Sequence, residues 1–376
     1  MKKIFLPLLA LAFAASCSNP ALTVTATNSL AFDRNNETVE IDWITVQGKL
    51  GNVPPDNVCV TDAQGNTLLS QVVYEGMEDP QKFIFQANVA QRGKSVYTIK
   101  KGKPLIQPSK AYGRLVPERK DDYAWENNRV AFRMYGPALE ATGEISNGID
   151  LWAKRTEDLV VDKWYKDDLG GVRPYHEDHG EGLDFYKVGR TLGAGAMAPY
   201  VNNKLVLGNN FVLAQTLDNG PIRTTFELKY APFKVENQVV LEVRRISLDA
   251  YAHLNKVREV YVGVGAQMTV AAGIVIRNDK DGYESDAANG WVAYSDTPDE
   301  KSGRLYVATI IPNQPTQIKV AESHLLSIAA YKGVEPLTYY CGGGWSKGGF
   351  PTENDWYKYV AVESEKLHNP LEIFFR

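Results

Sequence analysis

The chain has 376 residues, of which 23% are charged, with a formal net charge of −4. That balance, with no basic block, excludes the electrostatic footprint of a nucleic-acid binder. Three cysteines in a chain of this length exclude a disulfide framework, and no CxxC pair marks a zinc site.

The first sixteen residues read as a secretion leader. Lys2 and Lys3 supply the positive end, Ile4 to Phe13 the apolar core, and Ala14-Ala15-Ser16-Cys17 the small-residue cleavage site. The apolar run is too short to span a bilayer. A cysteine directly after small residues is similar to the lipobox of bacterial lipoproteins. That similarity implies cleavage before Cys17, acylation of its thiol and a mature chain over 17–376. An ordinary secretory peptide is the alternative. Ser18-Asn19-Pro20 follows Cys17 without an acidic residue, which favours the periplasmic face of the outer membrane, with the lipid anchor as the only membrane contact.

Short strand patterns then dominate. Val39, Ile41 and Trp43 alternate with polar residues, followed by Lys82–Gln86 and Ser95–Ile99. Later runs are Val130–Tyr135, Arg223–Tyr230, Val239–Leu248 and Met268–Ile276. Each is rich in β-branched and aromatic residues, and turn residues fill Ala63–Asn66 and Leu217–Gly220. Short helices are predicted over Glu157–Tyr165 and Asn354–Ser364. The pattern predicts a mainly β, antiparallel protein with few short helices and no internal repeat. A single domain over 17–376 is expected, and the joint near 102–120 sets off 22–110 as a semi-separate N-terminal β layer. Cys59 and Cys341 read as free, buried thiols.

Two polar clusters stand out. In Trp125–Gly136, a strand would put Arg129, Ala131, Arg133 and Tyr135 on one face and Val130, Phe132 and Met134 on the core face. Two arginines and a tyrosine on one sheet face suit a carboxylate, because guanidinium donors form a bidentate fork. Two solvated arginines on an exposed strand fit the same pattern. The second cluster, Tyr175–Lys187, holds His176, His179, Glu181, Asp184 and Tyr186. Its glycines favour a loop, and histidine is the side chain whose unperturbed pKa lies near neutrality. No cofactor is called for by these residues. The alternative is a divalent metal, calcium or zinc, on His176, His179 and Glu181 or Asp184. The glycines of Cys341–Phe350 are expected to let Trp345 reach over a cleft, where Tyr339, Tyr340, Trp345 and Trp356 stack on sugar. An anchored surface loop is the alternative reading. His253, His324 and His368 read as structural.

The residues from Ala111-Tyr112-Gly113-Arg114 through Trp125–Arg133, Gly148–Trp152, Tyr175–Tyr186 and Gly189–Gly193, with Gly344–Gly349 and Asp355-Trp356, resemble a secreted bacterial family catalogued as domain of unknown function 4861. The resemblance covers nearly the whole mature chain. It implies a galactose-mutarotase-like β-supersandwich, a place in loci that break down polysaccharides, and kinship with a dehydratase of ulvan oligosaccharides ending in a uronic acid.

Such a dehydration takes the proton α to the carboxylate and expels the neighbouring hydroxyl. It needs a neutralised carboxylate, a base and an acid. Arg129 or Arg133 is the candidate for neutralisation, His176 or His179 for the base, and Tyr186 or the other histidine for the acid. Glu181, Asp184, Trp125, Trp345 and Trp356 are the remaining candidates for binding the oligosaccharide. A lyase expelling a sugar, or a mutarotase, would use the same set. A glycoside hydrolase and a non-catalytic carbohydrate-binding lipoprotein are the alternatives. No Gly-x-Ser-x-Gly elbow points to serine hydrolysis.

Overall fold

A computed structural model describes residues 20–265, 267–314, 317–333 and 335–376. The leader and Cys17 lie outside these residues. Among the described residues, neighbouring strands of every sheet pair antiparallel. Helix is confined to Trp43–Leu50, Pro137–Glu140, Val161–Leu169 and Glu353–His368, with two short 3-10 turns. The architecture is the mainly β, antiparallel sandwich with few helices that the short apolar runs predict.

The chain first builds a small sandwich. Ala21–Thr27 buries Leu22, Val24 and Ala26 and leaves Thr23 and Thr25 half-buried, the period of a strand with one face on a core. It lies between Glu372–Phe375 and Lys94–Lys101, with Val58–Thr61 and Thr67–Leu68 beyond. Arg34–Asp42, Lys82–Val89 and Ser70–Val73 form the facing sheet, and Val24, Val39, Phe85 and Ile99 share the core. The first and last strands of the chain are therefore partners, Val24 opposite Phe375. Trp43 does not continue the alternation of Val39 and Ile41. It opens the helix Trp43–Leu50, where Trp43, Val46 and Leu50 turn one face to the same core.

The larger sandwich has two layers. One contains Ala111–Val116, Asp122–Asn127, Val130–Met134, Asp150–Lys154 and Gly182–Leu183, adjacent in that order. A bridge between Ile149 and Gly193 links it to a second sheet that includes Ala194–Val201, Met268–Val275 and His324–Tyr331. Facing both is a nine-stranded sheet in which Arg223–Tyr230, Gln238–Asp249, Leu254–Val262, Leu337–Trp345 and Leu305–Ile310 run side by side. Trp125, Phe132, Leu151, Met197, Phe226, Val257 and Ile274 fill the space between layers. The expected faces of Val130–Met134 are observed. Val130, Phe132 and Met134 enter this core, and Ala131 packs on the opposite side with Trp152, Trp164 and Tyr175.

Helices close the outer faces. Val161–Leu169 covers the outer side of the 111–183 sheet, and Glu353–His368 packs on Trp291–Ser295 and Leu305–Ile310. The first begins later than the predicted Glu157–Tyr165. The buried Glu126 carboxylate accepts from the backbone N–H of Val160 and Val161 at 2.7–2.9 Å, satisfying the otherwise orphaned first-turn donors there. The second is set by a capping box in which Thr352 and Asp355 accept from each other's backbone N–H.

Candidate functional site

The 175–187 segment is a loop pinned at both ends. Tyr175 stacks on Trp152 with ring centroids 5.2 Å apart. At the other end, Gly182 and Leu183 pair with Lys154 and Ala153. Gly182 has φ +127°, and a Cβ there would lie 2.0 Å from the Ala153 carbonyl oxygen, so only glycine lets the loop approach so closely. Between these anchors Asp178 accepts from the N–H of Gly180 and Gly182 at 2.8 and 3.2 Å, and its other oxygen pairs with Arg155 at 2.8 Å.

Beneath the loop lies a closed ionic centre. Arg133, 4% exposed, reaches Asp150 at 2.6 Å and Asp184 at 2.9 Å, with Asp122 at 3.7 Å. Its Nη1 also donates to the Tyr175 hydroxyl at 3.1 Å. Burial opposes the charge of Arg133, but the carboxylates, Asp150 first, hold it protonated well above its ordinary range. Burial pushes Asp122 up to about 6 against the pull of Arg133 and Arg119. Burial and then Asp150 push Asp184 well above the usual carboxylate range.

His176 sits on this centre and faces solvent. Its Nδ1 is 2.8 Å from the Asp184 carbonyl oxygen and 3.6 Å from the Asp184 carboxylate, while its side chain is 59% exposed. A carbonyl accepts and never donates, so Nδ1 carries a proton in this contact, and in the neutral imidazole Nε2 is the nitrogen left to accept one. Tyr135 lies at the same place, its ring 5.2 Å from the Arg133 guanidinium. Burial, and then Asp150, push its phenol well above its usual range, so it keeps its proton. Arg119, about a quarter exposed, stands 3.9 Å from Asp122 and also contacts Tyr175. The arrangement places an oriented imidazole, a protonated phenol and a partly exposed cation around the Arg133 centre, His176 on Asp184, Tyr135 on Arg133 and Arg119 on Asp122.

Residues 26–373 match the family described as Domain of unknown function (DUF4861). The chain belongs to that family. It is 32% identical over 373 residues to "Uncharacterized protein P7" of Formosa agariphila, covering 93% of this chain and 92% of that one. Among solved structures it is similar to a protein in the glycosyl hydrolase family 38 from Enterococcus faecalis, with 10% identity and a TM-score of 0.46. It is also similar to an alpha-mannosidase from Enterococcus faecalis V583, with 9% identity and a TM-score of 0.44. These matches cover 96% and 95% of this chain but 48% and 46% of those, so the chain spans about half their length.

The structure brings His176, Arg133 and Asp184 together and separates other residues expected beside them. Arg133 is enclosed by carboxylates and has no face for a substrate. Arg129 does not share the strand face expected of it, because it lies in the bend just before the Val130–Met134 strand. It pairs with Glu157 at 3.2 Å and faces the Tyr251 ring at 5.5 Å. His179 and Glu181 turn to the helix side, where Glu181 pairs with Lys163 at 2.6 Å and accepts from Trp164 Nε1 at 3.2 Å. Tyr186 is buried, its ring 3.8 Å from the Arg277 guanidinium carbon, and burial raises its phenol far from neutrality. Among the described residues no group of three His, Cys, Asp or Glu side chains converges to hold a metal, and Asp184 of the alternative set is bound to Arg133.

The tryptophans are likewise internal. Trp125 and Trp356 are 0% exposed and Trp345 is 1% exposed, so none offers a sugar a stacking face. Trp345 is no rim residue because it points inward from the Leu337–Trp345 strand, its Nε1 donating to the Ser302 carbonyl at 2.6 Å. Asp122, Asp150, Arg119 and Tyr135 join the site from outside the candidate set. Tyr135 had a signal, its place on the Arg133 face, and Asp150 lies in the Gly148–Trp152 stretch that carries the family resemblance; Asp122 and Arg119 come from a strand and a turn that nothing local marks. His253 and His324 are buried, and desolvation lowers both pKa values, His253 to about 4. Cys59 and Cys341 are free and buried.

Proposed function

We propose that the protein is a carbohydrate-active lyase of the dehydratase type, acting on oligosaccharides that end in a uronic acid. The observation that carries this reading is the presentation of His176, an exposed imidazole with Nδ1 fixed on the Asp184 carbonyl. In the proposed reaction Nε2 takes the proton α to the sugar carboxylate. The electron pair left behind forms the new double bond, and the bond from the neighbouring carbon to its oxygen breaks. Tyr135 gives its proton to that departing oxygen, and Arg119 faces the carboxylate whose charge would otherwise oppose the proton loss. Arg133 positions these groups and touches no substrate. Oligosaccharides ending in glucuronate, iduronate or galacturonate are the substrates to screen. Elimination creates a conjugated double bond, so far-ultraviolet absorbance is expected to rise during turnover. Growth of reducing ends without that absorbance would make the protein a hydrolase instead.

We also propose that the mature chain is tethered through an acylated Cys17 at the periplasmic face of the outer membrane. Among the described residues no helix is long and apolar enough to cross a membrane. Cys17→Ala should move the protein from the membrane fraction to the soluble fraction. A wild-type protein already soluble after gentle lysis would refute the tether.

A further inference from the structure

A second cavity has no His176 in its lining. It lies between the Arg34–Asp42 strand of the small sandwich and the outer face of the nine-stranded sheet, with a volume of about 410 Å³, within the range of small-ligand sites. Strand alternation explains its floor. Ile246, Leu248 and Val257 point into the core, so Ser247, Asp249 and Lys256 point out. Tyr340, beside the inward Tyr339 and Cys341, points out with them.

Three features mark the cavity as built for a ligand. The first is its charge. Arg223 is held by Glu40 at 2.7 Å and by both oxygens of Asp249 at 2.5 and 2.8 Å. Lys366 is paired with Glu363 at 2.7 Å, and Arg129 with Glu157. Among the described residues Lys256, on the floor, has no carboxylate within 4.0 Å. Burial lowers its pKa, opposed mainly by Glu40 at longer range, so its ammonium is desolvated without a contact partner. Arg258, which lines the small cavity adjoining at Lys256, is likewise unpaired among the described residues.

The second feature is a tyrosine in the wall with a left-handed backbone. Tyr251 has φ +67°, an uncommon conformation for a bulky side chain. Its N–H donates to Asn128 at 2.8 Å, and its ring lies between Lys110 at 5.1 Å and Arg129 at 5.5 Å. The third is a polar rim: Asn35, Asn36, Thr38 and Ser247 supply amides and hydroxyls suited to a polyhydroxylated molecule.

We propose that this cavity is a second saccharide site, separate from the His176 centre, that takes a sugar unit bearing one anionic group, carboxylate or sulfate, at Lys256. It stands on its own geometry and does not depend on the proposed elimination. The test is calorimetric titration of the mature protein with D-glucuronate, galactose 6-sulfate and uncharged galactose. At least one anionic sugar should bind at least tenfold more tightly than galactose, and comparing the two tells carboxylate from sulfate. Lys256→Met should weaken that binding about tenfold or more, Lys256→Arg should restore most of it, and His176→Ala should leave it unchanged. Thermal melts establish that each variant is folded. The proposal is overturned if neither anion binds more tightly than galactose, if folded Lys256→Met binds like wild type, or if His176→Ala abolishes the binding.

Discussion

Two buried arginines in this molecule meet the same kind of partner and differ in what lies above them. Arg244 is sealed inside the large sandwich, bonded to Glu242 and to Glu259 at 3.0 Å, with the Tyr230 ring 5.2 Å away. Arg133 is nearly as buried among Asp122, Asp150 and Asp184, but one of its carboxylates also holds a solvent-facing histidine. Charge and burial are alike, so neither identifies a functional site. What separates the two centres is a titratable group that the closed cluster orients toward solvent. A buried arginine ringed by carboxylates is scaffold, and the chemistry belongs to what it positions.

The largest expected effect comes from removing either arginine. Arg133→Met and Arg244→Met each leave buried carboxylates without their counter-charge, which costs about 3–5 kcal/mol. Chemical denaturation should find similar losses for the two. If either variant unfolds at the wild-type midpoint, its centre is not the scaffold described. Arg133→Lys should also be damaging, because an ammonium cannot reproduce the guanidinium fork to Asp150 and Asp184.

His176→Ala should break the symmetry. Its side chain is more than half exposed, so stability should change by less than about 1 kcal/mol. The elimination rate should fall by about two orders of magnitude, the usual scale for a lost general base. An unchanged rate on a uronic-acid-ended oligosaccharide would remove His176 from the mechanism. Tyr135→Phe tests the acid in the same assay and should lower the rate without unfolding the chain.

The pH dependence of stability sharpens the comparison further. Burial raises Asp122 from an ordinary 3.8 to about 6 in the folded protein. The folded state therefore holds this proton more tightly than the unfolded state. Its contribution is fully present below about pH 4 and is lost as pH rises through about 6, an effect on the order of 1–3 kcal/mol. Asp122→Asn should flatten that part of the stability profile between pH 4 and 6. Identical slopes for wild type and variant would show that Asp122 titrates normally.

Much of the Arg133 centre was legible because strand alternation and a dense polar motif are local signals. Period two placed Arg133 and Tyr135 together and sent Phe132 to the core. The motif named His176 and Asp184, which do meet. The closing carboxylates were not legible, because Asp122 and Asp150 reach Arg133 by strand pairing rather than by sequence spacing. The tryptophans misled for a related reason. Gly342, Gly343 and Gly344 suggested a loose loop, yet they belong to a central strand whose neighbours leave no room for side chains. A Cβ at Gly343 would lie 2.4 Å from both the Leu151 side chain and the Tyr306 carbonyl. The pairing of the first strand with the last likewise has no local signature.

The smallest expected effect lies just before the strand that carries one of the largest. The period-two pattern puts Arg129 and Arg133 on one face with one residue type, and sequence gives no ground to rank them. Arg129 has one carboxylate, Glu157, at 3.2 Å, and both side chains are more than a third exposed. Exposed pairs of this kind contribute at most about 1 kcal/mol, because water screens the attraction and two long side chains must be ordered to form it. The Tyr251 ring adds a similarly small cation–π contribution. Arg129→Ala should therefore lower stability by no more than about 1 kcal/mol in the denaturation assay that finds several for Arg133→Met, and it should leave the elimination rate unchanged. A loss as large as that of Arg133→Met would mean that Arg129 also anchors the fold. A loss of turnover at full stability would mean that the substrate reaches from His176 to the mouth of the cavity, joining the two sites into one.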